Sequence, residues 1–251
     1  MDDPMPRDVE VRFESREAGE VAFVTLDDDA RLNVLSSPLM ARFVAVFADL
    51  ATRDSLRAVV LAGAGERAFA GGADLDEMAA LDGPAAARAF IGKVHACCAA
   101  VRDCPVPVMA LVRGWCLGAG LELAAACDLR LAAEDARFGM PEVRLGIPSV
   151  VEAALLPGLI GWGRTREALL FGEAIDAAEA RRIGLVETVA PAADLPGLLA
   201  RRLDSLLAAG PRAIRLQKAL IRRWEEPAMA AAIAAGIDAF AAAFETDEPR
   251  A

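Results

Sequence analysis

The feature that most restricts how this chain can fold is a recurring succession of a short apolar run, a glycine and a helix-period segment. Arg57-Ala-Val-Val-Leu-Ala-Gly63 is the first such run, and Val106–Val112, with Gly114 just beyond it, is the second. A strand covered on one face alternates polar and apolar residues, whereas one covered on both faces does not. Both runs are therefore expected to be strands buried inside a sheet, with helices over it. The glycine after each opens a loop.

Around these runs the same grammar extends. Residues 9–15 and 20–26 are rich in β-branched and aromatic side chains and flank the turn Glu17–Glu20, which predicts a β-hairpin. A helix is expected from near Ser36, with serine as cap, Pro38 in the first turn and Leu39, Phe43, Val46, Phe47 and Leu50 on one stripe. Further helices are expected over about 84–101 and 120–127, and a strand over Asp128–Ala133. Strands alternating with helices define an α/β layered fold. From about residue 201 the pattern is helical only. Ile214, Leu216, Leu220, Ile221 and Trp224, then Met229, Ile233, Ile237, Phe240 and Phe244, recur at three- and four-residue steps. Periodicity leaves open whether that stripe packs on its own core or on another subunit.

Composition excludes several classes of function. With 251 residues, 55% of them hydrophobic, the chain can bury a sizeable interior. A formal net charge of −10 leaves no basic surface for a phosphate backbone, so no nucleic-acid partner is expected. No apolar stretch is long and uninterrupted enough to suggest a membrane span, and the N-terminus has neither the charge nor the apolar region of a signal peptide. Cys97, Cys98, Cys104, Cys116 and Cys127 form no Cys-x-x-Cys pair, and their odd number points to a reducing compartment, the cytoplasm. With one histidine, His95, and no tyrosine, multi-histidine metal sites and tyrosine acid–base chemistry are excluded. His95 itself reads as a packed or surface residue, and no metal site is expected.

The stretch with chemical content is Gly118-Ala-Gly-Leu-Glu-Leu-Ala-Ala-Ala-Cys-Asp128, which places one glutamate among small and apolar residues. It fails as a dinucleotide fingerprint because Leu123 stands where the third glycine belongs, and there is no Gly-Lys-Ser/Thr phosphate loop anywhere. Taken alone, Glu122 is an ordinary first-turn acid favoured by the helix dipole. Glu142 repeats the arrangement after Pro141, so two carboxylates at the starts of consecutive α/β units could face one crevice. Arg67-Ala-Phe-Ala-Gly-Gly-Ala-Asp-Leu75 is a small-residue loop that a ligand backbone could approach closely.

Taken together, Ala68–Leu75, Gly114–Ala124 with Cys127-Asp128, and Phe138–Val143 with Leu145-Gly-Ile-Pro148 resemble the enoyl-CoA hydratase/isomerase (crotonase) family in order and spacing. That resemblance implies a ClpP/crotonase-like spiral of β-β-α units over residues 1–200, followed by a helical, oligomerising region over 201–251. It also implies acyl-CoA thioester substrates, with coenzyme A as part of the substrate and no separate cofactor, and a homotrimer or dimer of trimers. In the family two backbone N–H groups hold the thioester oxygen, and they fall here on Ala73 and Ala119. The paired glutamates of its hydratases fall on Glu122 and Glu142. The notional assignment gives Glu122 the water and Glu142 the α-carbon. Substrate contacts are expected from Ala30, Arg31 and Leu32, with Arg31 a candidate for the CoA phosphates where relatives often carry lysine at position 30. Ala70, Gly72, Asp74, Leu75 and Gly118 complete the expected lining, and Trp115 is read either as an acyl-pocket wall or as core.

The chain departs from the family at Ser149-Val-Val-Glu-Ala-Ala154, where common relatives carry another glycine-rich segment, and at Ala119, where most have glycine. The activity so implied is enoyl-CoA hydration or its reverse. An isomerase of the same fold and a non-catalytic acyl-CoA-binding protein are the alternatives.

Overall fold

The structure, a computed structural model, describes residues 8–243, apart from the side chains at 226–232, 235, 239, 242 and 243; Met229 and Phe244 of the helical stripe lie outside the described residues. Strands β1 (Asp8–Arg16) and β2 (Gly19–Asp27) form the expected hairpin, with Arg16 opposite Gly19 across a turn at Glu17 and Ala18. Helix α1 (Ser37–Ala51) buries Leu39, Met40, Phe43, Val46, Phe47 and Leu50, although the hydroxyl of Ser36 makes no capping hydrogen bond. Then the chain alternates between two sheets. Strand β3 (Leu56–Gly63) is followed by β4 (Ala68–Ala70) and helices α2 (Leu75–Ala79) and α3 (Gly83–Asp103). Strands β5 (Val108–Val112) and β6 (Trp115–Leu117) lead to α4 (Ala119–Ala126). Strands β7 (Leu129–Ala133) and β8 (Arg137–Gly139) lead, through two 3-10 turns, to α5 (Leu156–Phe171). The remainder is β9 (Ile175–Asp176), α6 (Ala177–Ile183), β10 (Thr188–Ala190), α7 (Leu195–Leu207) and α8 (Pro211–Ala243).

In the β-β-α units that begin at β3, β5 and β7 the first strand enters a six-stranded sheet of order β1-β2-β3-β5-β7-β10, and the second enters a four-stranded sheet of order β4-β6-β8-β9. Apart from the β1–β2 and β8–β9 pairs, the neighbours run parallel. The helix after each unit carries the chain back, so the units wind as a spiral.

Strand β3 shows why its sequence reads as one continuous apolar run. Val59 and Leu61 enter the main core with Phe43, Phe47, Phe69 and Phe90. Ala58 and Val60 point to the opposite face, where Met109, Leu131 and Ala133 meet Leu195, Leu198, Leu199, Leu203 and Leu207. Helix α7 is thus a covering layer for the large sheet, and each buried leucine contributes about 1.5–3 kcal/mol of transfer free energy as an upper estimate.

The apolar stripe of α8 divides into two parts. Ile233 and Phe240 are buried in the main core, with Ile237 packed against it, while Leu216, Leu220, Ile221 and Trp224 are exposed. Lys218 ties this helix to the core: its buried ammonium donates to the carbonyls of Val101 and Val106 and to Asp128 Oδ2 at 2.7 Å. Among the described residues no helix is long and apolar enough to cross a membrane.

Candidate active site

Two tight backbone crossings set the site. Gly120, in the first turn of α4, lies so close to β4 that an added Cβ would stand 2.4 Å from the Ala70 carbonyl oxygen. A Cβ on Gly72 would stand 3.2 Å from the Leu117 carbonyl oxygen. Strand β4 pairs with β6 through Ala68–Trp115 and Ala70–Cys116, so segments 70–73 and 117–120 run beside each other. Ala73 and Ala119 each lie in one of these neighbouring segments.

Their amides are directed by what surrounds them. Residue 73 bridges Leu35: Leu35 N–H donates to the Gly72 carbonyl at 2.8 Å, and Asp74 N–H donates to the Leu35 carbonyl at 3.3 Å. Ala119 is the first residue of α4, where a helix N–H has no intrahelical acceptor and the dipole end is positive. Among the described residues neither the Ala73 nor the Ala119 N–H is given to another protein oxygen. Two backbone donors are left for an anion.

Glu122 projects from the first turn of α4 and is only 3% exposed. Its Oε1 accepts the Ala153 N–H at 3.1 Å. Burial, then the charges of Glu142 and Glu152, push its carboxyl well above the usual range, against the smaller opposing effect of the Ala153 and Val150 amides. Glu142 opens the 3-10 turn Glu142–Leu145, and its Oε2 accepts the Ser149 hydroxyl at 2.7 Å. Burial raises its carboxyl too, while the Ser149 hydrogen bond pulls it back. Gly118 lies against this carboxylate. At φ +50 and ψ −124 it adopts a conformation that L residues avoid, and an added Cβ would stand 2.5 Å from Glu142 Oε1.

Raised carboxyls in the folded state set the sign of a stability effect. Between the ordinary carboxyl pKa and the raised one, the native protein holds a proton that the unfolded chain has released, so stability falls as pH rises through that window. Glu122→Gln removes this loss and keeps an acceptor for Ala153. It is expected to raise Tm more at about pH 8 than at about pH 5, by about 2–4 °C for each kcal/mol recovered. Paired thermal melts across that range check it.

The loop before α1 frames the site. Leu32 and Asn33 have φ of +60 and +55. The turn is held because Asn33 Nδ2 donates to the carbonyls of Ala64 and Ala68, and its Oδ1 accepts the Asp28 N–H. Leu32 in turn receives the Gly71 N–H on its carbonyl at 2.8 Å. This places residues 30–32 next to 70–74. Sequence reasoning passed over Asn33, whose signal was a polar residue among apolar ones. Arg31 is turned toward the protein: it grips Asp74 with two hydrogen bonds of 2.8 and 3.1 Å and reaches Asp76 at 3.0 Å. The guanidinium holds the Asp74 carboxyl below its usual range, and Asp74 caps α2 through the Asp76 and Glu77 amides. Ala30 is exposed on the adjoining 3-10 turn, and Leu75 is exposed at the start of α2. Trp115 is also exposed, so its reading as a core residue is corrected.

His95 is neither a plain packed residue nor a plain surface one. Its Nδ1–H donates to Glu152 Oε1 at 2.9 Å, and Glu152 is fully buried. Ser149 and Glu152, both unassigned by sequence reasoning, lie in the segment where the chain departs from its resemblance. A cavity of about 870 Å³ runs from the end of α4 past Ser149 and Val150 to α5 and α8, and neither Glu122 nor Glu142 lines it.

The model of the enoyl-CoA hydratase/isomerase family matches residues 16–251. The chain is 33% identical over 233 residues to the short-chain-enoyl-CoA hydratase of Clostridium acetobutylicum, covering 92% of this chain and 89% of that protein. It is 35% identical over 193 residues to the crotonyl-CoA hydratase of Syntrophomonas wolfei, covering 76% and 74%. A crystal structure of an enoyl-CoA hydratase/isomerase from Mycobacterium paratuberculosis matches with a TM-score of 0.87 at 26% identity, over 98% of this chain and 97% of that one. The protein belongs to the enoyl-CoA hydratase/isomerase family and has the crotonase fold.

Proposed function

We propose that this protein is an enoyl-CoA hydratase, adding water across the double bond of a 2-enoyl-CoA thioester or catalysing the reverse. The observation that carries the reading is the joint presence of two carboxyls raised above their usual range, the buried Glu122 and the half-buried Glu142, and two uncommitted amides, Ala73 and Ala119. The hydratase names of its relatives support it. An isomerase moves a proton with one carboxyl and has no use for the second.

In this reading the amides of Ala73 and Ala119 hold the thioester oxygen and stabilise the negative charge it gains as the oxygen of water bonds to C3. Losing one such donor typically costs about 3 kcal/mol of barrier. One water sits between the carboxyls. The ionised member takes its proton while the protonated member gives one to C2, so the pair ends with the single proton it began with. Burial raises both carboxyls, Ser149 and the Ala153 amide each pull one of them back, and the assignment made from sequence, Glu122 to the water and Glu142 to the α-carbon, is kept. Because the two interact, the titration belongs to the pair.

Residues 30–32, Ala70, Gly72, Leu75, Trp115 and Gly118 form the substrate's expected surroundings, with Asp74 and Arg31 bracing that loop. Coenzyme A belongs to the substrate, and the chemistry asks for no separate cofactor. The exposed Trp162, Leu170, Phe171, Leu216 and Trp224 favour association of copies into the homotrimer or dimer of trimers. The five free, buried cysteines fit a cytoplasmic setting.

The test is loss of the conjugated-thioester absorbance on mixing the protein with short, medium and thioether-bearing 2-enoyl-CoAs. Turnover of at least one member is expected. Binding of CoA esters without turnover of any contradicts the reading.

A further inference from the structure

A third carboxylate stands behind Glu122. Glu152 is 0% exposed, its Oε1 is held by His95, and among the described residues its Oε2 has no hydrogen-bond partner. A buried carboxylate with one oxygen unmatched is costly, and native structures keep such groups where they serve a purpose. Its surroundings indicate one. The turn Val151–Leu155 that carries Glu152 also supplies the Ala153 N–H that holds Glu122. Val151 has φ +37, a conformation a β-branched residue adopts only when its neighbours impose it. Gly236 of α8 presses on this turn, where an added Cβ would stand 2.9 Å from the Val151 nitrogen. The His95–Glu152 hydrogen bond anchors the same turn from α3.

We propose that Glu152, held by His95, is a positioning residue of the acid–base site: it fixes the turn that grips Glu122 and sets a negative charge behind that carboxyl. The proposal rests on the hydratase reading for its catalytic consequence, but not for its structural one. The groups facing the pair are few. From α3 come His95, Cys97, Cys98 and Arg102; from α4 comes Glu122, with Glu142 beyond it; from α8 comes Arg222. Helix α5 gives neither His95 nor Glu152 a hydrogen bond among the described residues. Arg102 and Arg222 oppose protonation of His95, whereas its hydrogen bond to Glu152 outweighs them and raises it. The imidazole is therefore suited to stay bound to Glu152 through the neutral range.

The experiment uses the full chain and has two arms. The first follows the infrared carbonyl band of protonated Glu122, isolated by difference against Glu122→Gln, in wild type and in Glu152→Gln as pH rises. Removing the Glu152 charge is expected to make Glu122 release its proton at lower pH. The second measures kcat and KM on an enoyl-CoA that wild type hydrates. Glu152→Gln is expected to lower kcat about tenfold with KM within about twofold, and to move the alkaline limb of the pH–kcat profile to lower pH. His95→Leu should lose a similar factor, while His95→Asn, whose amide can replace the Nδ1–H donor, should recover most of it.

An unchanged Glu122 titration in folded Glu152→Gln overturns the proposal, as does wild-type kcat in that variant. Should Glu152→Gln fail to fold, equal kcat for wild type, His95→Leu and His95→Asn overturns it. If wild type hydrates no enoyl-CoA, the functional reading fails while the infrared titration still decides this one.

Discussion

Glu142→Gln and Glu122→Gln are each expected to lower kcat for enoyl-CoA hydration by about 10³-fold while leaving KM within a few-fold. The reason is shared. Each carboxyl handles a proton only as the C–O and C–H bonds form, whereas binding of the thioester depends on the Ala73 and Ala119 amides and on CoA contacts elsewhere. The double variant should cost little more than either single one, because the two act on one water as a unit. Steady-state rates on one substrate, with near-ultraviolet circular dichroism to verify folding, check this. Additive losses would mean that the carboxyls act independently.

Gly118→Ala is expected to lower kcat by about 10²-fold or more and to destabilise the fold by about 1–3 kcal/mol. The stability loss comes from the backbone, since φ +50 with ψ −124 suits glycine alone. The catalytic loss comes from the other contact. The new methyl would meet Glu142 Oε1 at 2.5 Å, and that carboxylate, at the end of a flexible side chain, must give way. The movement would break its 2.7 Å hydrogen bond from Ser149 and displace the proton it handles. Denaturant melts and kcat on the same preparation separate the effects. A variant with lowered stability and wild-type kcat would show that Glu142 tolerates displacement.

The layered fold is legible in the sequence because its signals are local. A short apolar run closed by glycine, such as 57–63, reads as a strand covered on both faces, and the glycines at 114 and 118 mark turns that a side chain would block. The two glutamates are legible for the same reason, as charges at helix starts among apolar neighbours. What sequence does not reveal is pairing over distance. Arg31 finds Asp74 forty-three positions on, and His95 finds Glu152 fifty-seven positions on, and neither spacing follows any local period. The role of α7 was hidden similarly: its leucine stripe says that it packs, but not that it covers the far face of the large sheet. The stripe of α8 carried two meanings, core contact near Phe240 and exposure near Trp224, and periodicity cannot divide them.

The most direct test of the central claim, that Glu122 and Glu142 deliver the elements of water to the two carbons of a conjugated thioester, is mass spectrometry of the product formed from crotonyl-CoA in oxygen-18 water. Hydration by the pair gives a 3-hydroxyacyl-CoA carrying the heavy oxygen at C3, formed by wild type and nearly abolished in Glu122→Gln and Glu142→Gln. A shifted double bond with no label incorporated, or label incorporated at the wild-type rate by both variants, would contradict it.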